Sequence, residues 1–153
     1  MNFRHARHRI QEIVSAAKCV SDSSNLEVRS KGERGAEFDA SLDLKDGPYC
    51  DLRYLGKAGR TDVPNTYDAS LLLDQQRVRG IGYCPIGRQN FRAKLRIAAG
   101  WHENICDPNV PTSSPEWNRH EPIADFAPTD FSDFIRLAAA RWSIDLRWEA
   151  ELL

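Results

Sequence analysis

The chain has no apolar run that approaches the length of a membrane-spanning helix. Its longest runs, at residues 71–73 and 137–140, fall far below the ~20 residues that such a helix needs. The N-terminus carries arginines but lacks the apolar core of a secretory signal. We therefore expect a cytoplasmic protein that does not contact a membrane.

Cysteine is scarce and never clustered. The four cysteines, Cys19, Cys50, Cys84 and Cys106, are each separated by more than twenty residues, so the chain has no Cys-x-x-Cys pair of zinc ligands. In a cytoplasmic chain, isolated cysteines are most simply buried thiols. We expect neither a disulfide nor a bound cofactor.

Acidic residues are missing from the 28 residues between Gln75 and His102. This acid-free stretch contains six cations: Arg77, Arg79, Arg88, Arg92, Lys94 and Arg96. The chain from Glu103 onward has the opposite bias, with ten acidic residues against four arginines. Such a distribution suits an anion-binding face or a protein partner attracted by charge.

The patterning predicts an α+β fold in one domain, because 153 residues leave no room for a second sizeable core. Strict alternation of apolar and polar residues over 36–45 is typical of a strand with one buried face. We expect an antiparallel sheet of about six to seven strands. The predicted segments are an amphipathic helix over 1–20, antiparallel strands over 26–98, a long Pro-rich loop over 99–128, a helix over 129–142 with Thr129 or Asp130 as N-cap, and a strand over 143–149.

The acid-free stretch also carries the clearest candidates for nucleic-acid binding. Alternation over residues 91–97 places Arg92, Lys94 and Arg96 on one face at ~7 Å spacing. Such a row also protects an edge strand from aggregation, which is the structural alternative. Gly80 and Gly82, two residues apart, indicate a bulge, a bend or the close approach of a ligand or another backbone. The full set of candidates is Arg77, Arg79, Arg88, Arg92, Lys94 and Arg96, with Trp101 and Trp117 as stacking platforms for bases.

Two His-Glu pairs are the candidates for catalysis. They are His102-Glu103 and His120-Glu121, eighteen residues apart. Two imidazoles brought together could act as general base and general acid, as in RNA cleavage through the 2′-hydroxyl. The carboxylates would orient the rings, and Arg119 or Arg96 would stabilise charge on the phosphorane.

Two alternatives remain open for these histidines. They could be structural residues on the surface or in hydrogen bonds. They could also ligate a metal together with Cys106, the fourth ligand coming from Glu103, Glu121 or Cys84. We expect no metal site, because the ligand spacing lacks the regularity of a zinc knuckle.

From Leu71 onward, over about half of the chain, the arrangement resembles the TumE-type toxins of bacterial toxin–antitoxin pairs and related small uncharacterised bacterial proteins. The shared features are Arg79-Gly80 in a strand pair, the segments Trp101-His102-Glu103-Asn104 and Asn118-Arg119-His120, and Thr129-Asp130-Phe131 at a helix start. The clustered His-x-His that such toxins tend to carry is absent. The resemblance implies an RNA-directed or translation-related activity that a partner protein restrains.

Two hypotheses follow. The first is a small cytoplasmic nucleic-acid-directed protein, an RNase-like toxin with a basic sheet face, a two-histidine site and a cognate antitoxin or host target as partner. The second is a non-catalytic binding module, such as a phage- or plasmid-borne inhibitor that docks on a host protein or on its own copy as a homodimer. Whether the protein is an enzyme at all separates the two.

Overall fold

A computed structural model of the chain describes residues 3–21, 25–46, 50–85, 88–90, 95–97 and 99–147, with only the backbone described for 88–90 and 95–97. The elements within these ranges are two helices and eleven strands, joined in part by short 3-10 turns at Pro64–Thr66 and Pro115–Trp117. In chain order they are α1 Arg7–Ser15, β1 Lys18–Val20, β2 Glu27–Lys31, β3 Gly35–Leu44, β4 Leu52–Ala58, β5 Tyr67–Leu73, β6 Gln76–Cys84, β7 Arg88–Asn90, β8 Leu95–Ile97, β9 Gly100–Cys106, β10 Asn118–Pro122, α2 Phe131–Arg141 and β11 Ile144–Asp145.

Nine of the described strands form one mostly antiparallel sheet. Its order is β10-β9-β6-β5-β4-β3-β1-β11, and β2 pairs with β3 outside this path. Strands β7 and β8 form a separate hairpin. The predicted α+β class with an N-terminal and a C-terminal helix is confirmed, whereas the expected six to seven strands were too few.

Two of the additional strands lie in the stretch predicted as a Pro-rich loop over 99–128. That prediction is wrong, because the stretch contains β9 and β10, which pair with each other in register. The prolines do not prevent pairing: Pro108, Pro111 and Pro115 lie in the link between the strands, and Pro122 is the last residue of β10. Proline is tolerated at strand ends and outside the hydrogen-bonded ladder.

The chain ends also differ from their predicted boundaries. The helix predicted over 1–20 ends at Ser15, because the buried residues Lys18–Val20 instead pair with β3 as β1. In the predicted strand over 143–149, only Ile144 and Asp145 are assigned to a strand, and they pair with β1 in parallel rather than antiparallel. Residues 148 and 149 lie outside the described ranges. Asp130 is the N-cap of α2, as expected, and its carboxylate accepts from Asp133 N at 2.8 Å.

The helices cover one face of the sheet, which we call the helix face. Tyr54 projects from β4 into this core and donates its hydroxyl to Ile135 O at 2.6 Å. Tyr67 from β5 packs against Phe131 and Phe134, with ring centroids 5.1 and 5.4 Å away. Neither helix in the described part of the chain is long and apolar enough to cross a membrane.

The opposite side of the sheet is the polar face. Alternation along each strand assigns successive residues to opposite faces, and residues paired in register share a face. One row across this face runs through Lys57, Asp68, Gly82, His102 and Pro122, on β4, β5, β6, β9 and β10. In this row, three neighbouring or nearby strands thus place titratable side chains on the polar face, namely Lys57, Asp68 and His102.

A buried lysine joins the ends of the two helices. Lys18 donates from Nζ to Val14 O at 2.7 Å and to Ala16 O and Trp142 O at 2.6 Å each. These carbonyls lie at or just beyond the carboxyl ends of α1 and α2, where a cation also complements the helix dipoles. Burial lowers the pKa of Lys18 to about 8. The ammonium therefore still predominates at neutral pH.

We expect Lys18→Met to lower the free energy of unfolding by about 1–3 kcal/mol at pH 7, because it leaves buried carbonyls without their donor. Urea denaturation followed by circular dichroism measures this change. Lys31→Met on the exposed strand β2 is the matched control and should change stability by less than about 0.5 kcal/mol. Equal losses in the two variants would contradict the role given to Lys18.

Candidate functional site

A bulge in β6 decides which of two arginines lies on which face. Leu71 of β5 pairs with Arg79, whereas the next residue, Leu72, pairs with Arg77, so Val78 is an extra residue in β6. In a regular strand, residues 77 and 79 would share a face. The extra residue puts Arg79 on the helix face and Arg77 on the polar face.

On the helix face, Glu103 is the centre of a buried polar cluster. Its carboxylate accepts from Arg141 Nη2 at 2.7 Å and from Trp142 Nε1 at 2.8 Å. Arg79 Nε lies 3.9 Å from the same carboxylate, and both side chains are buried. Glu103 thus fastens the end of α2 to β9, and alternation puts it on the face opposite to the neighbouring His102.

On the polar face, Arg77 lies flat on Gly80. A Cβ atom at Gly80 would be only 1.9 Å from Arg77 Nη2 and 2.6 Å from its Cζ, so any other residue would force the guanidinium away. Of the features that Gly80 and Gly82 predicted, the bulge in β6 is confirmed, whereas the group that approaches Gly80 is the side chain of Arg77 rather than a ligand or another backbone. The guanidinium of Arg77 therefore lies directly against the backbone of Gly80.

The structure brings His102 and His120 together. His120 pairs with Asn104 and His102 with Pro122 across β9 and β10, so both imidazoles lie on the polar face. Their ring centroids are 5.0 Å apart with an interplanar angle of 49°. His102 is only 8% exposed, whereas His120 is half-buried, so the two rings differ in their access to solvent.

The two glycines and the residues that flank them make up a site on the polar face that we call the glycine trough. Its floor is Gly80 and Gly82, and a Cβ at Gly82 would touch His102 Cε1 at 3.9 Å. The residues flanking the floor are Asp68 and Ser70 on β5 and His102 and Asn104 on β9. Strands are ~4.8 Å apart, so the two flanking strands are separated by ~10 Å.

Asp68 is the acidic group of the glycine trough. Burial raises the pKa of its carboxyl above the ordinary value, and the positive charges of Lys57 and Arg77 oppose that rise without cancelling it. Desolvation disfavours the ionised form of an acid. Asp68 therefore carries a charge that the fold accommodates at a cost, which is common at functional sites.

The other predicted catalytic residues lie away from the trough. Arg119 and Glu121 are on the helix-face side of β10, by alternation with His120, and form an ion pair at 3.1 Å. Arg119 also contacts Glu116 at 3.3 Å. Within the part of the chain that the structure describes, these charges are engaged with each other on the face opposite to the imidazoles.

The residues predicted to bind nucleic acid also lie in different parts of the structure. Trp101 packs in the core, with ring centroids 5.1 Å from Phe126 and 5.5 Å from Phe134. Trp117 is exposed. Arg88 and Arg96 lie in the β7–β8 hairpin, opposite Ile97 and Gln89 respectively. Arg92 and Lys94 lie outside the described residues.

The β7–β8 hairpin, which we call the basic hairpin, lies in the chain between two strands that contribute to the trough. It joins β6 to β9, and the last pair of those strands before the hairpin is Cys84 with Gly100. Gly82 and His102 pair two residues further along the same ladder. In chain order, the hairpin therefore follows the Gly82 end of β6 and precedes the His102 end of β9.

Asp68 and Ser70 are site residues that the sequence did not predict. The spacing Gly80-x-Gly82 could have indicated them, because two glycines on one face of a strand leave space above them. Residues that pair with these glycines on the neighbouring strands border that space. Among the described residues, no group of three or more His, Cys, Asp or Glu side chains is arranged to hold a metal ion. All four cysteines are free thiols and buried.

Comparison of the chain with protein-family models, with curated proteins and with solved structures gave no match. The chemistry of the site must therefore be argued from its own groups. Two adjacent imidazoles can supply a base and an acid at neutral pH. Arg77 supplies a fixed positive charge on the same face, which suits a substrate that carries or develops negative charge.

We expect Asp68→Asn to raise the free energy of unfolding at pH 7. Folding raises the pKa of the Asp68 carboxyl above its ordinary value of 3.8. As the pH rises from 3.8 to the raised pKa, the folded state therefore loses stability relative to the unfolded state. The amide removes this loss, so the gain should disappear below pH 3.8. Denaturant titrations across this pH range measure the difference.

Asp39→Asn is the matched control, because Asp39 lies on the same face but forms an ion pair with Arg53. It should produce no comparable gain in stability. If Asp68→Asn were as stable as the original protein at pH 7, or less so, the desolvated charge assigned to Asp68 would be wrong.

Proposed function

We propose that this protein is a small cytoplasmic RNA-directed protein whose glycine trough cleaves single-stranded RNA. The observation that carries the proposal is the pair of imidazoles 5.0 Å apart on the same sheet face as the Arg77 guanidinium. A base, an acid and a cation are the three groups that would catalyse attack of a ribose 2′-oxygen on the adjacent phosphate.

In the proposed reaction, one imidazole removes the proton of the ribose 2′-hydroxyl while that oxygen forms a bond to phosphorus. The bond from phosphorus to the 5′-oxygen breaks, and the other imidazole donates its proton to the leaving oxygen. The products are a 2′,3′-cyclic phosphate and a 5′-hydroxyl. His102 and His120 share these two roles, and they differ in exposure, since His102 is buried and His120 is half-buried.

Arg77 takes the part that the sequence analysis gave to Arg119 or Arg96. Its guanidinium lies on Gly80, within the glycine trough, whereas Arg119 lies on the opposite face with Glu121. A guanidinium can donate two parallel hydrogen bonds to phosphate oxygens. In this position it would stabilise the extra negative charge of the phosphorane.

The basic hairpin extends the proposed RNA path away from the trough. Arg88, Arg92, Lys94 and Arg96 supply four positive charges in the segment between β6 and β9. Cations that neutralise phosphates release counterions, so binding should weaken steeply with salt. The resemblance to TumE-type toxins supports the same class of function and adds a cognate protein that restrains it.

The second candidate is a non-catalytic module that binds another protein. The observation in its favour is β2, whose five residues are all exposed and which pairs with β3 outside the main strand order. An exposed edge strand is a template for an added strand from a partner or a second copy. This candidate requires neither imidazole, so the histidine variants separate it from RNA cleavage.

We expect His102→Ala and His120→Ala each to slow RNA cleavage by about 100-fold or more, the scale on which a positioned acid or base contributes. The assay incubates purified protein with a single-stranded RNA oligonucleotide and identifies 2′,3′-cyclic phosphate ends by mass spectrometry. The same oligonucleotide with 2′-O-methyl groups should remain intact, because it has no 2′-hydroxyl to deprotonate.

His8→Ala is the matched control, since His8 is exposed on α1. It should cleave RNA at the original rate. Cleavage that survives in both His102→Ala and His120→Ala, or an original protein that leaves RNA intact, would exclude the proposed reaction and favour the binding module.

A double-substitution cycle tests the role of Arg77 and its glycine floor. We expect Gly80→Ala to slow cleavage as much as Arg77→Ala does, because a Cβ at Gly80 would displace the guanidinium. The double variant should be no slower than either single variant, since both remove the same interaction. Stability should change by less than about 0.5 kcal/mol, because a flexible exposed side chain can move aside. Additive losses of rate would show that Gly80 acts independently of Arg77.

A further inference from the structure

A pocket beside the glycine trough has no part in the proposed proton transfers. Its volume is about 170 Å³, more than ten times the ~15 Å³ that one water molecule requires. The lining residues are Gln76, Arg77, Cys106, Pro108, Trp117 and Asn118. Arg77 belongs to both features, so the pocket opens next to the cation that would hold the reacting phosphate.

Trp117 gives this pocket an exposed aromatic wall. Its side chain is 36% exposed, and among the described residues it is one of two large hydrophobic side chains that are exposed, the other being Val28. An exposed indole beside a cation and side-chain amides is the usual composition of a surface that stacks a nucleobase. Gln76 and Asn118 add amide groups that can hydrogen-bond to the edge of a base.

Hydrogen bonds hold the backbone of this wall in place. Trp117 ends a short 3-10 turn in which Ser114 Oγ accepts from Glu116 N, and its carbonyl accepts from Asp107 N at 3.2 Å. Asp107 in turn bonds Arg7 Nε at 2.9 Å. The Asn118 amide is fixed as well, because its Oδ1 accepts from Cys106 Sγ at 3.6 Å. A preformed pocket binds without the entropic cost of ordering its walls.

The position of the pocket matches one nucleotide next to the scissile phosphate. Asn118 and His120 are two residues apart on β10, which is ~7 Å along a strand. Arg77 lies between the pocket and the imidazoles, on Gly80. If Arg77 holds the phosphate of a nucleotide, the reacting bonds of that phosphate would lie toward His120. The base of the same nucleotide would lie toward Trp117.

We infer that the pocket binds one unstacked base of single-stranded RNA on Trp117, adjacent to the phosphate that the trough cleaves. The inference rests on the proposed function in taking RNA as the ligand, and it adds how the strand is recognised. A base in a duplex is stacked and paired, so a pocket of this kind selects single strands.

The test measures binding of a single-stranded RNA hexamer to the full chain carrying His120→Ala, which keeps the RNA intact. Adding Trp117→Ala should weaken binding roughly 5- to 150-fold, the range expected for loss of one base–aromatic stack. Adding Trp117→Phe should keep binding within about threefold, because a smaller ring still stacks. Val28→Ala is the control for loss of an exposed apolar side chain and should leave binding unchanged.

A second arm uses hexamers that lack the base at one position at a time. At one position the loss of the base should weaken binding by the same factor as Trp117→Ala, and the two losses should not add. The inferred base pocket is overturned if the proteins with Trp117 and with Trp117→Ala bind RNA equally well. It is also overturned if removal of the base weakens binding at no position of the hexamer. Either result counts against the pocket even if the original protein cleaves RNA. Trp117-dependent base binding by a protein that cleaves nothing supports the pocket and overturns the cleavage, and absence of RNA binding overturns both.

Discussion

One extra residue in β6 controls the arrangement of charge on both sides of the sheet. Because Val78 has no partner position on β5, Arg77 and Arg79 lie on opposite faces although they are two residues apart. Arg79 can then reach Glu103 beneath α2, while Arg77 lies on Gly80 beside the imidazoles. Without the bulge, both guanidiniums would compete for one face, and either the helix anchor or the cation of the trough would be lost.

The two faces use charge in different ways. On the helix face, buried charges are satisfied: Glu103 is bonded by Arg141 and Trp142, and Lys18 by three carbonyls. Satisfied buried groups of this kind fix a single arrangement of helix on sheet. On the polar face, burial raises the pKa of Asp68, and glycines replace larger side chains beneath a guanidinium. Departures of this kind from the most stable arrangement are expected where a protein binds or reacts.

Much of this fold could be predicted locally, and the site could not. The alternation of β3 and the N-cap at Asp130 are written in adjacent residues, so the sequence alone predicts them. Strands β9 and β10 were missed because prolines around them are typical of loops, whereas the pairing of β9 with β6 and of β10 with β9 depends on residues that are distant in sequence. Spacing suggested His102 and His120 as a pair, but their 5.0 Å separation depends on an antiparallel register. The bulge that puts Arg77 on that face leaves no local mark except two nearby glycines.

We propose that Arg77, His102 and His120 form one anion-binding site on the polar face. An NMR titration of the labelled protein with a 2′-O-methyl dinucleotide tests this site, because the dinucleotide binds like RNA but lacks the reactive hydroxyl. We expect the side-chain signals of these three residues to shift together with a single dissociation constant, while those of Arg119 and Arg141 on the helix face stay in place. Shifts of Arg119 or Arg141 with no change at the two imidazoles would contradict it.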